Sequence, residues 1–508
     1  MTSTQTGNPA GNQAGSQAGN QAGNQVVNQA GNQVINQAGN RWLVVAGALI
    51  VQMSLGAVYI WSVFQTPLLA RFPGWSETQV TLPAQLVIAV FAFAVILGGR
   101  IQDRLGPRLV GTMGGLILGA GLMLAGLTGR FGEGTALVWL VGTYAVLGGL
   151  GIGMAYVCPV ATCVKWFPDK RGLITGLAVA GFGAGAFFFA PLARGLIGAG
   201  DYALFGIPLF PLPRVGVFET FTVLGVIFLV AVVLGSQLLR NPPAGYCPAG
   251  FVPADGAAGR PAAQAEVAPG AMLRTPAFWL LWLTYLAGST AGLMVIMKAA
   301  PIWETFGLAA TTEAPVSAER FASIASAAAM AVAVLALFNA AGRILWGRVS
   351  DTLGRRETLI LMFVICGLVL LGLDWMRVYP LYLLGISVIA LCFGGYLALY
   401  PAIAADYFGT RHMGVNYGFL FTAYGIGGML GPYLAAALMQ TSGGVEYQAQ
   451  DATGALAIQV FQLGEYGKAF VTGGLLCLAA AVVMLAVRAP QTGAARVDVS
   501  RPILVGER

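Results

Sequence analysis

From Arg41 onward the chain is written in apolar runs of about twenty residues, the length an α-helix needs to cross a hydrocarbon layer. Short breaks carrying charge, proline or glycine separate the runs. They predict membrane helices near 42–69, 78–99, 109–128, 136–163, 172–196 and 215–239. After a polar, proline-rich stretch come six more, near 276–299, 322–347, 357–376, 379–405, 414–440 and 467–488. No stretch alternates apolar and polar with period two, so a β-barrel is excluded. The expected fold is an all-α integral membrane protein of twelve helices in two six-helix halves, residues 41–240 and 276–488.

The remainder is polar. Residues 1–40 hold a repetitive Asn, Gln, Gly and Ala tract with no charge and almost no large apolar side chain. Such a segment cannot bury enough surface to fold, and it is expected to be disordered. It has neither the basic start nor the apolar run of a secretory signal. Residues 241–275 lack an apolar period and read as a linker, and 489–508 as a tail.

Composition agrees with this reading: 57% of the 508 residues are hydrophobic and only 9% are charged. A soluble domain carries about 25% charged residues. The net charge of +7 reflects where Lys and Arg sit, and no nucleic-acid partner is expected. With both termini cytoplasmic, 18 of the 27 fall in inner loops or tails and 6 in outer loops. Arg194, Lys298 and Arg343 complete the set, within or at the ends of spans. The positive-inside rule thus places both termini in the cytoplasm, and an inner (cytoplasmic) membrane location is expected. Five of six cysteines lie in apolar runs, and the one histidine, His412, lies in a loop, so no metal site or cofactor is expected.

The halves repeat each other. Gly99, Asp103, Gly106 and Arg108 recur as Gly347, Asp351, Gly354 and Arg356, at an offset of 248. A second block sets Arg171-Gly172 and Gly183-Ala184-Gly185 against Met413-Gly414 and Gly425-Ile426-Gly427, at an offset of 242. Internal repeats joined by a polar linker imply a rocking carrier with its substrate near mid-membrane. Asp103 or Asp351, at a helix end, can accept hydrogen bonds from exposed helix-end donors and pair with arginine, in contacts that exist in one state only.

The loops GGRIQDRLGPR and GRVSDTLGRR resemble the signature loop of the major facilitator superfamily. In that superfamily the loop's aspartate and arginines lock one conformation, which implies such a role for Asp103, Arg104, Arg108, Asp351, Arg355 and Arg356. RWLVVAGALIVQMSLGAVYIWSVF, CVKWFPDKRGLITGLAVAGFGAGA and LFNAAGRILWGRVSD are similar to segments of its oxalate/formate antiporter family, which includes monocarboxylate transporters. The similarity covers nearly everything from 41 to 488.

Arg343 is the leading candidate for substrate binding. It lies eight residues before Asp351, about 12 Å deep along a helix. An arginine there costs about 2.5–3.5 kcal/mol to insert and is retained for function. Its planar fork fits a carboxylate. Asn339, one turn earlier, could share the anion or orient the guanidinium. The repeat puts Val95 at the matching place in the first half, so the cation is confined to the second. The family resemblance implies that Asn339 and Arg343 contact substrate, and that Tyr59 and Tyr156 surround it. Tyr396, Tyr400 and Tyr424 could add hydroxyl donors and exclude water. Arg343 could instead be structural, bonded to a helix-end carbonyl or to an acid such as Asp406.

Oxalate exchangers of the family carry a second buried cation, a lysine near the position that Tyr424 holds here. One cation balances one negative charge, so a monocarboxylate such as formate, lactate or pyruvate is expected, by exchange or with a proton. An oxalate/formate exchanger and a non-transporting sensor on the same fold are the alternatives. An enzyme is not expected, because a single loop histidine leaves little catalytic material. The glycines at 181, 183 and 185 are read as packing positions, Lys298 as an interfacial charge, and the chain as acting as a monomer. Deleting residues 2–40 should leave the rate of carboxylate uptake into proteoliposomes within about twofold of the full chain. Normal insertion with lost uptake would assign the tract a function.

Overall fold

All twelve expected spans are helices in the computed structural model, which describes residues 40–198, 201–204, 207–243, 246–248, 266–450 and 456–490. The N-terminal tract, residues 249–265 of the linker and the tail from 491 lie outside the described residues. The first half holds α1 (Arg41–Ile60), α2 (Thr78–Leu105), α3 (Pro107–Arg130), α4 (Glu133–Trp166), α5 (Arg171–Ile197) and α6 (Val217–Leu238). The second holds α7 (Pro276–Ile296), α8 (Ala318–Leu353), α9 (Arg355–Trp375), α10 (Tyr379–Phe408), α11 (Met413–Leu438) and α12 (Gly467–Ala486). The end of the bundle carrying Asp103 and Asp351 is called the aspartate end below.

Local sequence sets where helices start and break. Ser76 and Gln79 form a reciprocal capping box ahead of α2, while Thr275 and Ser317 cap α7 and α8 through their hydroxyls. α1 tightens into a 3-10 turn over Ala57–Ile60 before the chain resumes a helix at Ser62–Arg71. α7 breaks at Met297 and Lys298 and resumes over Ala299–Ala309, which leaves Lys298 half-buried at the break. The same helix therefore breaks in both halves.

Two β-hairpins that the apolar pattern did not announce lie at the opposite end. Tyr202–Leu204 (β1) pairs antiparallel with Ile207–Phe210 (β2), and Gln440–Gln450 (β3) with Leu456–Glu465 (β4). The second hairpin is tied to its own half by Val316, which bridges Tyr447, and by Phe321 stacked on Tyr447 at 3.9 Å. The expected linker is only partly plain coil: Pro269–Met272 is one helical turn, and Glu266 accepts the Arg411 amide at 2.8 Å.

The halves meet along two seams, α2 with α11 and α5 with α8. At the aspartate end the contacts are crossed copies of each other. Asp103 accepts the amides of Gly414 and Val415 at 3.0 Å each, capping α11. Asp351 accepts the amides of Gly172 and Leu173 at 2.9 Å each, capping α5. Backbone meets backbone beside each cap: a Cβ on Gly99 would collide with Gly414, and one on Gly347 with Gly172. The four glycines are the repeat positions found in the sequence.

Arg355 joins this network and the other candidate arginines do not. Its Nη1 pairs with Asp351 at 2.7 Å and its Nε with Asp406 at 2.9 Å, while Arg171 of the other half reaches Asp406 at 2.7 Å. Arg356 instead donates to the carbonyls of Met484 and Leu485 at the end of α12, within one half. Arg104, in the last turn of α2, and Arg108, in the first turn of α3, are both exposed. The bonds of Asp103, Asp351, Asp406 and Arg343 to the opposite half, with the pairs Tyr59–Tyr424 and Tyr156–Tyr417, join the halves from the aspartate end to mid-depth. Toward the other end α8 exposes Met330, Val332, Leu337 and Phe338 on more than one face.

A carboxylate capping a partly buried helix N-terminus is worth about 1–2 kcal/mol. Asp351→Ala should therefore speed hydrogen exchange at the amides of residues 172–173 by about tenfold. The amides of 414–415, held by Asp103, should change far less. Equal acceleration of both, read by mass spectrometry, would mean that the caps do not act locally.

Candidate functional site

Arg343 reaches the seam because α8 is pressed against its neighbours by glycines on either side of it. Gly342 abuts the backbone of Leu391 on α10, and Gly176 of α5 abuts the carbonyl of Arg343 itself. The side chain therefore leaves α8 between two packed backbones, only 1% exposed. Its Nε donates to Asn339 Oδ1 at 3.2 Å, and its Nη1 donates across the seam to the carbonyl of Val179 at 2.6 Å. Nη2 makes no hydrogen bond to a described residue, and no carboxylate of the described residues forms an ion pair with the guanidinium. Asp406, the acid considered for it, is already held by Arg171 and Arg355. Of the two deeply buried arginines, Arg171 is thus paired and Arg343 has no ion pair among the described residues.

Three of the candidate tyrosines surround that charge. Tyr59, Tyr156 and Tyr424 lie within electrostatic reach of Arg343. Tyr59 sits in the 3-10 turn of α1 and shares a hydrogen bond with the Tyr424 hydroxyl of α11 at 2.6 Å. It is 37% exposed and packs edge-on against Phe182 of α5. Tyr156, fully buried, has its hydroxyl 3.4 Å from that of Tyr417. Around it Phe91, Phe182 and Phe421 lie with ring centroids 5.0–5.3 Å away. The result is a guanidinium and four phenol groups within an aromatic shell, shared between the halves.

Two candidates stand elsewhere. Tyr400 donates to Thr284 at 2.9 Å and stacks on Tyr285 at 3.9 Å, one ring layer behind Tyr424. Tyr396 points into the second half, stacked on Phe363 at 4.7 Å in a slot that Gly288 leaves open. It is not brought to Arg343, because α10 is buried on all sides and sequence alone did not say which side faces the seam. Tyr417, Tyr285 and the Val179 carbonyl were not anticipated. Tyr417 had a signal, since it precedes Tyr424 by seven residues and so shares its helix face. A main-chain carbonyl had none.

The geometry offers one buried positive charge with a free donor, phenol hydroxyls, an apolar wall and a partly exposed edge at Tyr59. That combination can seat a small anion and change its exposure when the halves move. No group of three or more His, Cys, Asp or Glu side chains among the described residues could hold a metal ion.

Known proteins agree with this architecture. The family model described as Major Facilitator Superfamily matches residues 44–330 and 292–502. The oxalate:formate antiporter of Oxalobacter formigenes is 29% identical over 408 residues, 79% of this chain and 85% of that protein. Apicoplast pyruvate carrier 1 of Toxoplasma gondii is 26% identical over 478 residues, covering 79% and 84%. Among solved structures, the proton:xylose symporter XylE bound to 6-bromo-6-deoxy-D-glucose superposes with a TM-score of 0.59 at 12% identity, over 88% of this chain and 96% of that one. That likeness concerns the fold. With a family match across both halves and twelve apolar helices to cross a bilayer, the chain belongs to the major facilitator superfamily of multi-pass membrane transporters.

Proposed function

We propose that this transporter carries a small organic monocarboxylate, of the formate, lactate or pyruvate kind, by alternating access. The observation that carries the reading is the buried Arg343 with no carboxylate partner among the described residues. An unpaired guanidinium in an apolar shell is costly, and a substrate carboxylate is the group that would complete it. Tyr59 and Tyr424 are placed to donate to the same anion, and Asn339 to hold the guanidinium in register. Tyr424 stands where oxalate exchangers of the resembling family have a second cation, so a dianion would keep one charge uncompensated. The names of the relatives support a carboxylate in general, and that of the 29% identical antiporter favours oxalate/formate exchange as the second reading.

The surplus of Lys and Arg makes the aspartate end cytoplasmic and puts both termini in the cytoplasm, in an inner membrane. On that orientation the exposed side chains of α8 and Tyr59 line a crevice that opens outward. Asp103, Asp351, Arg355, Arg171 and Asp406 then close the cytoplasmic side, and one chain forms the complete carrier as a monomer.

The test is uptake of labelled formate, lactate, pyruvate and oxalate into proteoliposomes, with and without a pH gradient. Losing hydrogen bonds to a charged group costs about 1.5–3 kcal/mol, so Arg343→Ala should lower kcat/KM by roughly tenfold to a hundredfold or more. Tyr424→Phe should raise KM by about fivefold, whereas Tyr396→Phe should stay within about twofold of the parent. Preference for oxalate over formate would sink the charge argument, and undiminished flux in Arg343→Ala would remove the site.

A further inference from the structure

The guanidinium of Arg343 is already occupied from the other half of the protein. Its Nη1 donates to the Val179 carbonyl in the interior of α5, at 2.6 Å, the shortest contact it makes. A carbonyl there accepts one bond from its own helix and retains a second lone pair, which the arginine takes. Gly183, one turn further along α5, faces the same group. A Cβ at Gly183 would stand 3.1 Å from Cζ and 3.4 Å from both Nε and Nη1 of Arg343. Glycine there lets the guanidinium lie against α5 close enough to reach Val179. The first-half counterpart of Arg343 is Val95, so the opposite seam has no such contact.

This contact competes with a substrate. A carboxylate is a charged acceptor and makes a hydrogen bond roughly twice as strong as a neutral carbonyl does. An anion that engages Nη1 and the free Nη2 therefore draws the guanidinium off α5. With no anion, separating α5 from α8 leaves a buried guanidinium donor unmatched, a penalty of about tenfold to a hundredfold in the equilibrium. The Val179 carbonyl thus takes the donor that a carboxylate would compete for.

Resting on the reading of Arg343 as the anion-binding group, we propose that the Val179 carbonyl and Gly183 form a cradle on α5 that holds Arg343 in the empty carrier. Only the anion-loaded carrier is released to reorient, which makes transport an exchange. Gly183 is a positioning residue: it acts through Arg343 and need not touch the substrate.

The experiment uses the full chain in proteoliposomes loaded with labelled formate or pyruvate, with the voltage clamped by potassium and valinomycin. Efflux into medium containing the same unlabelled anion measures exchange, and efflux into anion-free medium measures net transport. The expected wild-type ratio of exchange to net efflux is about tenfold or more. Gly183→Ala, which pushes the guanidinium from Val179, should bring the ratio below about threefold by raising net efflux. A role in packing alone would lower both rates and leave the ratio unchanged, and that result overturns the cradle. A wild-type ratio near one overturns it as well, while saturable carboxylate flux would leave the substrate reading standing. Absence of any saturable flux in the wild type overturns both. Arg343→Lys, assayed at raised anion concentration, is the second variant, since its shorter head lacks the planar fork that reaches the Val179 carbonyl while Nε stays on Asn339. A fallen ratio in it supports the cradle, and a wild-type ratio overturns it.

Discussion

The contact on which the arrangement of the two halves depends is a carboxylate seated on the N-terminal amides of a helix from the opposite half. It occurs twice, at Asp103 on α11 and at Asp351 on α5. A helix N-terminus exposes amides with no partner of their own and the positive end of the peptide dipoles. A carboxylate on the facing helix satisfies both, but only if the backbones approach closely. Gly99, Gly172, Gly347 and Gly414 permit that approach. The depth of Arg343 and the meeting of Tyr59 with Tyr424 both follow from how these seams are closed.

The repeat that produces this crossed pair is broken at the candidate site. Val95 and Arg343 hold equivalent positions, and so do Lys165 and Asp406 if the second block is followed at its offset of 241. The first exchange gives the second half the cation of the site. The second gives one seam a bridging acid, Asp406, between Arg171 and Arg355, while the other seam has no such bridge among the described residues. A twofold frame with asymmetric contents lets two similar halves swing together while one of them holds the charge.

Much of this was legible in the sequence, for identifiable reasons. Span lengths are dictated by the bilayer, so all twelve helices could be placed from apolar runs alone, most within a few residues. Arg343 was visible because a cation eight residues inside a span has few excuses, and Asn339 because it lies one turn away. Facing was harder. α10 and α11 are apolar all round, so periodicity gave no direction, and Tyr396 was grouped with residues that lie across a different interface. The arginines after each aspartate looked equivalent, yet only Arg355 joins the network, because its neighbours point toward solvent or toward α12. The carbonyl of Val179 left no trace in residue identities, since every residue has one.

The turns beside the two aspartates have a mechanical consequence. Gly106 alone separates α2 from α3, and Gly354 alone separates α8 from α9, with φ of 85° and 99° that an L side chain would resist. A one-residue connection has no slack, so α2 cannot slide along α3, nor α8 along α9, without unwinding a helix end. Displacement applied at one seam is therefore shared by the neighbouring helix of the same half, and each aspartate-bearing pair, α2 with α3 and α8 with α9, shifts as one piece.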